Sequence, residues 1–130
     1  VIGLWTLLGV ALALPYIAAG RAKRGRPARV WWAGGLVVAA LVYVGFASAA
    51  GAGWAGLGVE VGGVVIFGAF AALGLRGLPG WTAAGWLLHP LWDLAVGHPG
   101  APEWYLWACL GFDAAVGLWL WGRALWPSGG

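Results

Sequence analysis

The sequence predicts an all-α fold: a polytopic transmembrane bundle of five helices, with the N-terminus outside and the C-terminus cytoplasmic. Three observations carry that expectation. Hydrophobic residues make up 62% of the 130 positions and charged residues only 8%, with a mean hydropathy of +0.87. A soluble domain of this size has about 25% charged residues, so too few polar groups are present to cover a water-facing surface. The apolar residues fall into five runs, residues 2–20, 30–50, 54–75, 81–96 and 104–121. With five crossings, all seven Lys and Arg residues lie on one side.

Each run has its own signature. A spanning helix needs roughly 20 apolar residues, and the second and third runs meet that well. Run one could be taken for a signal peptide. No basic stretch precedes it, however, and no A-x-A-like site followed by a soluble domain appears, so it reads as a retained helix. The fourth run is short and could be a tilted span or a re-entrant segment. The cations favour a full crossing. Arg21, Lys23, Arg24, Arg26 and Arg29 form the loop after run one, Arg76 follows run three and Arg123 follows run five. A re-entrant fourth run would strand Arg123 on the other side. Positive loops stay cytoplasmic, which sets the orientation. Topology, rather than nucleic-acid or headgroup binding, is the reading of the basic loop.

Tryptophan follows the same map. Trp54 and Trp104 mark outer ends, and Trp31, Trp32, Trp81, Trp121 and Trp126 mark inner ends, where amphipathic rings prefer the interface. Trp86 and Trp92 lie inside the fourth run instead. Gly58 and Gly62 form a small-xxx-small pair around Glu60, expected to admit a neighbouring helix. No internal repeat stands out, so one transmembrane domain covers residues 1–130. Cys109 is the single cysteine, which excludes an internal disulfide.

The ionisable residues inside the runs point to function. His89 and Asp93, in "GWLLHPLWDLAVGHPG", stand one turn apart on one helix face. Pro90 cannot donate to the Trp86 carbonyl, so a kink with a freed acceptor is expected. A charge at the bilayer centre costs about 2.5–3.5 kcal/mol on insertion scales, so two on one face imply a lined cavity. At 1.5 Å per residue, Glu60 lies about 9 Å deep, Asp93 about 6 Å, His89 about 12 Å and Asp113 about 14 Å. Tyr105, Cys109 and Asp113 share one stripe at i, i+4 and i+8. Three helices thus place ionisable groups in the outer half, which implies one polar pocket, open or nearly open to the outside.

"GLGVE", "WLLHPLWD" and "CLGFDAAVGLWLW" resemble a family of small bacterial integral membrane proteins of unknown function. The resemblance covers roughly residues 50–125 and rests on Glu60, His89, Trp92, Asp93, Cys109 and Asp113. It implies a multi-helix protein of the bacterial inner membrane and no established activity. Members often carry a histidine within a turn of the Trp-Asp pair. Here Leu-Ala-Val-Gly intervenes, which leaves His98 outside the expected ligand set.

One imidazole and three carboxylates suit a divalent metal such as Zn, Mn or Fe. The expectation is therefore a metal ion or small polar ligand held by His89, Asp93, Glu60 and Asp113, the same four residues being the catalytic candidates if the site is hydrolytic. Whether the chain is an enzyme stays open. Asp93 and Asp113 could instead share a proton as a dyad. The alternatives are an accessory or pigment-binding subunit of a larger membrane complex and a proton or small-solute transporter. The expected partners are the lipid bilayer and a membrane protein or second copy, with no nucleic acid. The topology is open to test: in intact cells, a cysteine introduced at Gly100 should react with an impermeant label and one at Gly25 should not. The opposite pattern would reverse the orientation.

Overall fold

The computed structural model describes residues 1–98 and 100–125. These form five helices: α1 (Ile2–Arg21), α2 (Gly25–Ala49), α3 (Trp54–Leu75), α4 (Pro79–Val96) and α5 (Glu103–Leu125), with no strand among the described residues. Helices α1, α2 and α3 are long and apolar enough to cross a membrane. Trp126 lies outside the described residues.

Each helix matches its apolar run, with one instructive difference. The basic segment is mostly helix rather than loop. Only residues 22–24 connect α1 to α2, and Arg26, Pro27 and Arg29 sit in the opening turns of α2. Gly25 turns the chain with φ 61°, a region glycine enters at no steric cost. Proline is tolerated in a first turn because its missing N–H has no intrahelical acceptor there. Pro79 opens α4 in the same way. Pro90 lies inside α4, which runs on through it to Val96.

The helices alternate in direction. α1 and α5 run parallel: Trp5 meets Trp104 at 5.4 Å, and Arg21 lies 5.3 Å over Trp119. α3 and α4 run antiparallel, with Gly74 against Thr82 and Gly63 against Trp92. The core is small and aromatic, formed by Ala13, Ala33, Leu36, Ala40, Phe67, Ala71, Trp86 and Val116. Trp86 is buried there and donates its indole N–H to the Trp32 carbonyl at 3.0 Å. The neighbouring pair Tyr16 and Trp31 exchanges bonds, Tyr16 Oη–H to the Trp31 carbonyl at 2.7 Å and Trp31 Nε1–H to the Tyr16 carbonyl at 3.1 Å. Trp31 and Trp32 therefore tie α1, α2 and α4 together, and are more than interfacial anchors. Trp54, by contrast, is 90% exposed.

Close helix approach depends on other glycines than the expected pair. A Cβ at Gly58 or Gly62 would meet nothing within 4 Å. These residues sit one helical step away from the face that packs. A Cβ at Gly9 would run into the Ala108 backbone, and one at Gly111 into the Thr6 backbone. Small residues matter where backbones touch, and that place is the α1–α5 seam. Gly9→Val should destabilise the bundle by about 1–3 kcal/mol through overpacking. Gly62→Ala should be neutral or stabilising by up to about 1 kcal/mol. Thermal unfolding in detergent micelles checks both; equal losses would contradict this seam.

Candidate metal centre

The α4 register brings the first two groups together. His89 and Asp93 lie four residues apart on the face of α4 turned to the bundle, and both are buried. α5 delivers Asp113 opposite them. His89 Nδ1 donates to Asp113 Oδ2 at 2.7 Å and stands 3.4 Å from Asp93 Oδ2. His89, Asp93 and Asp113 each offer one ligand atom, and these atoms all lie within 4.8 Å of one another. Asp93 Oδ2 is buried without a hydrogen-bond partner. The Phe67 ring meets His89 edge-on at 4.8 Å and covers one side of the imidazole.

Glu60 does not touch this triad directly. It is buried on α3 and reaches the cluster through His98. His98 Nδ1 donates to Glu60 Oε1 at 2.7 Å and lies 2.9 Å from Oε2, while Nε2 donates to Asp93 Oδ1 at 2.9 Å. Two hydrogen-bonded groups, Asp113–His89 and Asp93–His98–Glu60, thereby lie end to end, with His89 Nδ1 3.4 Å from Asp93 Oδ2 between them. His98, whose ligand role the sequence leaves in doubt, lies at the site as the partner of Glu60 and Asp93 and not among the three converging donors. Gly97 (φ 69°) and Gly100 (φ 84°) bend the α4–α5 connection and carry the imidazole back over Asp93. The signal in the sequence was the pair of glycines around "HP", which allow a loop histidine to fold inwards. Tyr43, which carried no sequence signal, stacks on His98 from α2 at 3.8 Å between ring centres.

The geometry fixes the charge on His98. A carboxylate only accepts, and both ring nitrogens face carboxylate oxygens. With both acids ionised, His98 must be the doubly protonated imidazolium. Burial pushes its pKa down, but the Asp93 and Glu60 carboxylates outweigh that and hold it above the ordinary histidine value.

Access also differs from expectation. On the Glu60 side, Tyr43, Glu60, His89, Trp92 and His98 enclose a cavity of about 10 Å³, close to the smallest space that holds one water. The site is thus capped by His98 and Tyr43 at this end rather than open. On the Asp113 side lies a cavity of about 410 Å³, lined by α1, α2 and α5 with Trp86 of α4. Tyr105, Cys109 and Asp113 form one polar stripe on its wall. Cys109 is half-buried and free.

Comparison with family models, curated proteins and solved structures gave no match for the chain. The reading of the site therefore stands on its chemistry.

Removing His98 should leave two buried carboxylates without a partner. His98→Ala is expected to destabilise the protein by about 3–5 kcal/mol, and its effect should be non-additive with Glu60→Gln. The pH dependence has a definite sign. A histidine whose folded pKa is raised contributes fully below its unfolded value, about 6.5, and loses that contribution as pH rises through the folded value. Melting temperature should therefore fall on the alkaline side in the wild type and vary less in His98→Gln. A parallel pair of pH profiles would contradict the ion-pair assignment.

Proposed function

We propose that the chain is a small multi-pass protein of the bacterial inner membrane that binds a divalent metal ion at His89, Asp93 and Asp113. In this reading all five helices cross, the N-terminus is outside and the cation-bearing end is cytoplasmic. The observation that carries the metal assignment is the convergence of three buried donors, one of them the partnerless Asp93 Oδ2. Isolated carboxylates are not stable so close together in a low dielectric without a cation or a shared proton.

The donor set fits a metal in distance and in charge. A tetrahedral site with bonds of about 2.0–2.1 Å sets its ligand atoms about 3.4 Å apart. The His89–Asp93 separation of 3.4 Å matches that edge. The His89–Asp113 hydrogen bond of 2.7 Å would open by a fraction of an ångström on metal entry. Charge closes as well. A divalent ion and the His98 imidazolium together balance Glu60, Asp93 and Asp113, with His89 neutral as a ligand must be. Glu60 and His98 then act as outer partners that orient Asp93, an arrangement that tunes metal sites generally. One imidazole and two carboxylates suit Zn, Mn or Fe. Three protein ligands leave a position for water or substrate, the condition for hydrolytic chemistry.

A second reading has an observation of its own. Asp113, His89, Asp93, His98 and Glu60 alternate acid and imidazole along one line, as a proton-carrying chain does. Elemental analysis of protein purified without chelators separates the two. About one equivalent of metal per chain is expected at a site of this kind, lost in His89→Ala and Asp113→Asn and retained in Trp92→Phe, which keeps the apolar filling. Folded wild type that holds no metal and takes up neither Zn, Mn nor Fe would overturn the metal reading in favour of the proton chain.

A further inference from the structure

The large cavity beside Asp113 has a composition that selects its occupant. The α2 and α5 backbones stay apart, and α1 touches α2 only sparsely. Their side chains close the space at its ends: Tyr105 packs on Tyr43 and Phe46 near the α4–α5 connection, and Tyr16 packs on Trp31 and Phe112 further along. Between these lids the wall is almost wholly apolar, and its size lies within the roughly 300–1,000 Å³ of small-molecule sites. Leu12 and Val38 on its rim are more than half exposed. In a membrane-spanning bundle that rim faces hydrocarbon, so the cavity is reached sideways from the bilayer.

The polar part of the wall is equally definite. Asp113, Cys109 and Tyr105 lie along one face, and no Lys or Arg lines the cavity. An anionic head group would meet a carboxylate and no cationic side chain among the described residues. A hydroxyl would find an acceptor in Asp113, whose Oδ2 is held by His89. The opposite route to the metal ligands, past His98, has room for about one water. Anything larger has to arrive through the apolar side.

We propose that this lateral cavity binds a neutral, single-chain, hydroxyl-bearing lipid, with its tail along Leu8, Leu12 and Val42 and its head group beside Asp113. The proposal rests on the metal reading only in naming what the head group would approach. The lipid site itself depends on the cavity and its charge.

The test uses the full chain in phosphatidylcholine nanodiscs with a diazirine-bearing analogue of hexadecanol. Photolabelling should concentrate on the segments carrying Leu12, Val38 and Phe112, and unlabelled hexadecanol should compete for it. In metal-free protein palmitate should compete at least about tenfold less well, because its carboxylate adds like charge beside the Asp93 and Asp113 carboxylates in low dielectric. Ala39→Phe fills the cavity from α2 and should reduce labelling roughly tenfold while the metal content stays unchanged. Labelling spread evenly over the outward Leu4, Leu7 and Leu14, without saturation, overturns the proposal; so does equal competition by palmitate in metal-free protein. If Ala39→Phe does not fold, the two competitions in wild type decide. Saturable labelling of folded protein that takes up neither Zn, Mn nor Fe would refute the metal reading and leave the lipid site standing. Metal-loaded protein with unsaturable labelling would do the reverse.

Discussion

The structure depends on one constraint: ionisable groups withdrawn from water must satisfy one another. Glu60, His89, Asp93 and Asp113 are all buried, none more than 3% exposed. A buried charge without a partner costs several kcal/mol, so these groups have to meet. His89 spans Asp93 and Asp113, and His98 spans Asp93 and Glu60. The helix positions serve that requirement. α4 supplies two groups from one face, α3 and α5 flank it, and the α4–α5 connection brings the fifth group in from outside the helices.

The rest of the bundle holds these helices in register by close packing rather than by further polar bonds. Between helices in lipid there is little hydrophobic driving force, and van der Waals contact takes its place. Gly9 and Gly111 let α1 lie against α5, while Gly63 and Gly74 let α4 lie against α3. Trp86 fills the centre and pins α4 to α2 through the Trp32 carbonyl. Both devices lie within a few turns of His89, so a shift at either seam would move one of the clustered side chains. The gap left between α1, α2 and α5 is the other side of this economy: α2 packs on α3 and α4, α1 on α5, and α2 reaches α5 through side chains such as Tyr43, Phe46 and Tyr105 rather than backbone to backbone.

The two sides of the site differ in kind. At the His98 end the surroundings are charged, tightly bonded and nearly without space. At the Asp113 end they are apolar and roomy. Asp113 belongs to both, bonded to His89 and lining the large cavity. A single carboxylate therefore belongs both to the buried ionic cluster and to the wall of a roomy apolar cavity. Cys109 and Tyr105 continue its stripe along the cavity wall, which gives that wall a polar edge in an otherwise apolar chamber.

The sequence by itself determined the helical class, the five elements to within a few residues, and the pairing of His89 with Asp93. Apolar run length sets where a helix can lie in a membrane, and i,i+4 spacing sets which groups share a face; both are local. That Glu60 and Asp113 could come to one level of the bundle was legible for the same reason, since rise per residue converts position along a helix into height. Only the tertiary structure decided which way those faces turned. Whether Gly62 or Gly63 meets a neighbour depends on helix rotation, which a single strand of residues does not encode. The place of His98 depends on the fold of a glycine-flanked connection whose end point is set by Glu60 and Asp93, groups 38 and 5 residues away. The cavity beside Asp113 belongs to no segment at all: it exists because three helices pack around it and the backbones of two of them do not meet.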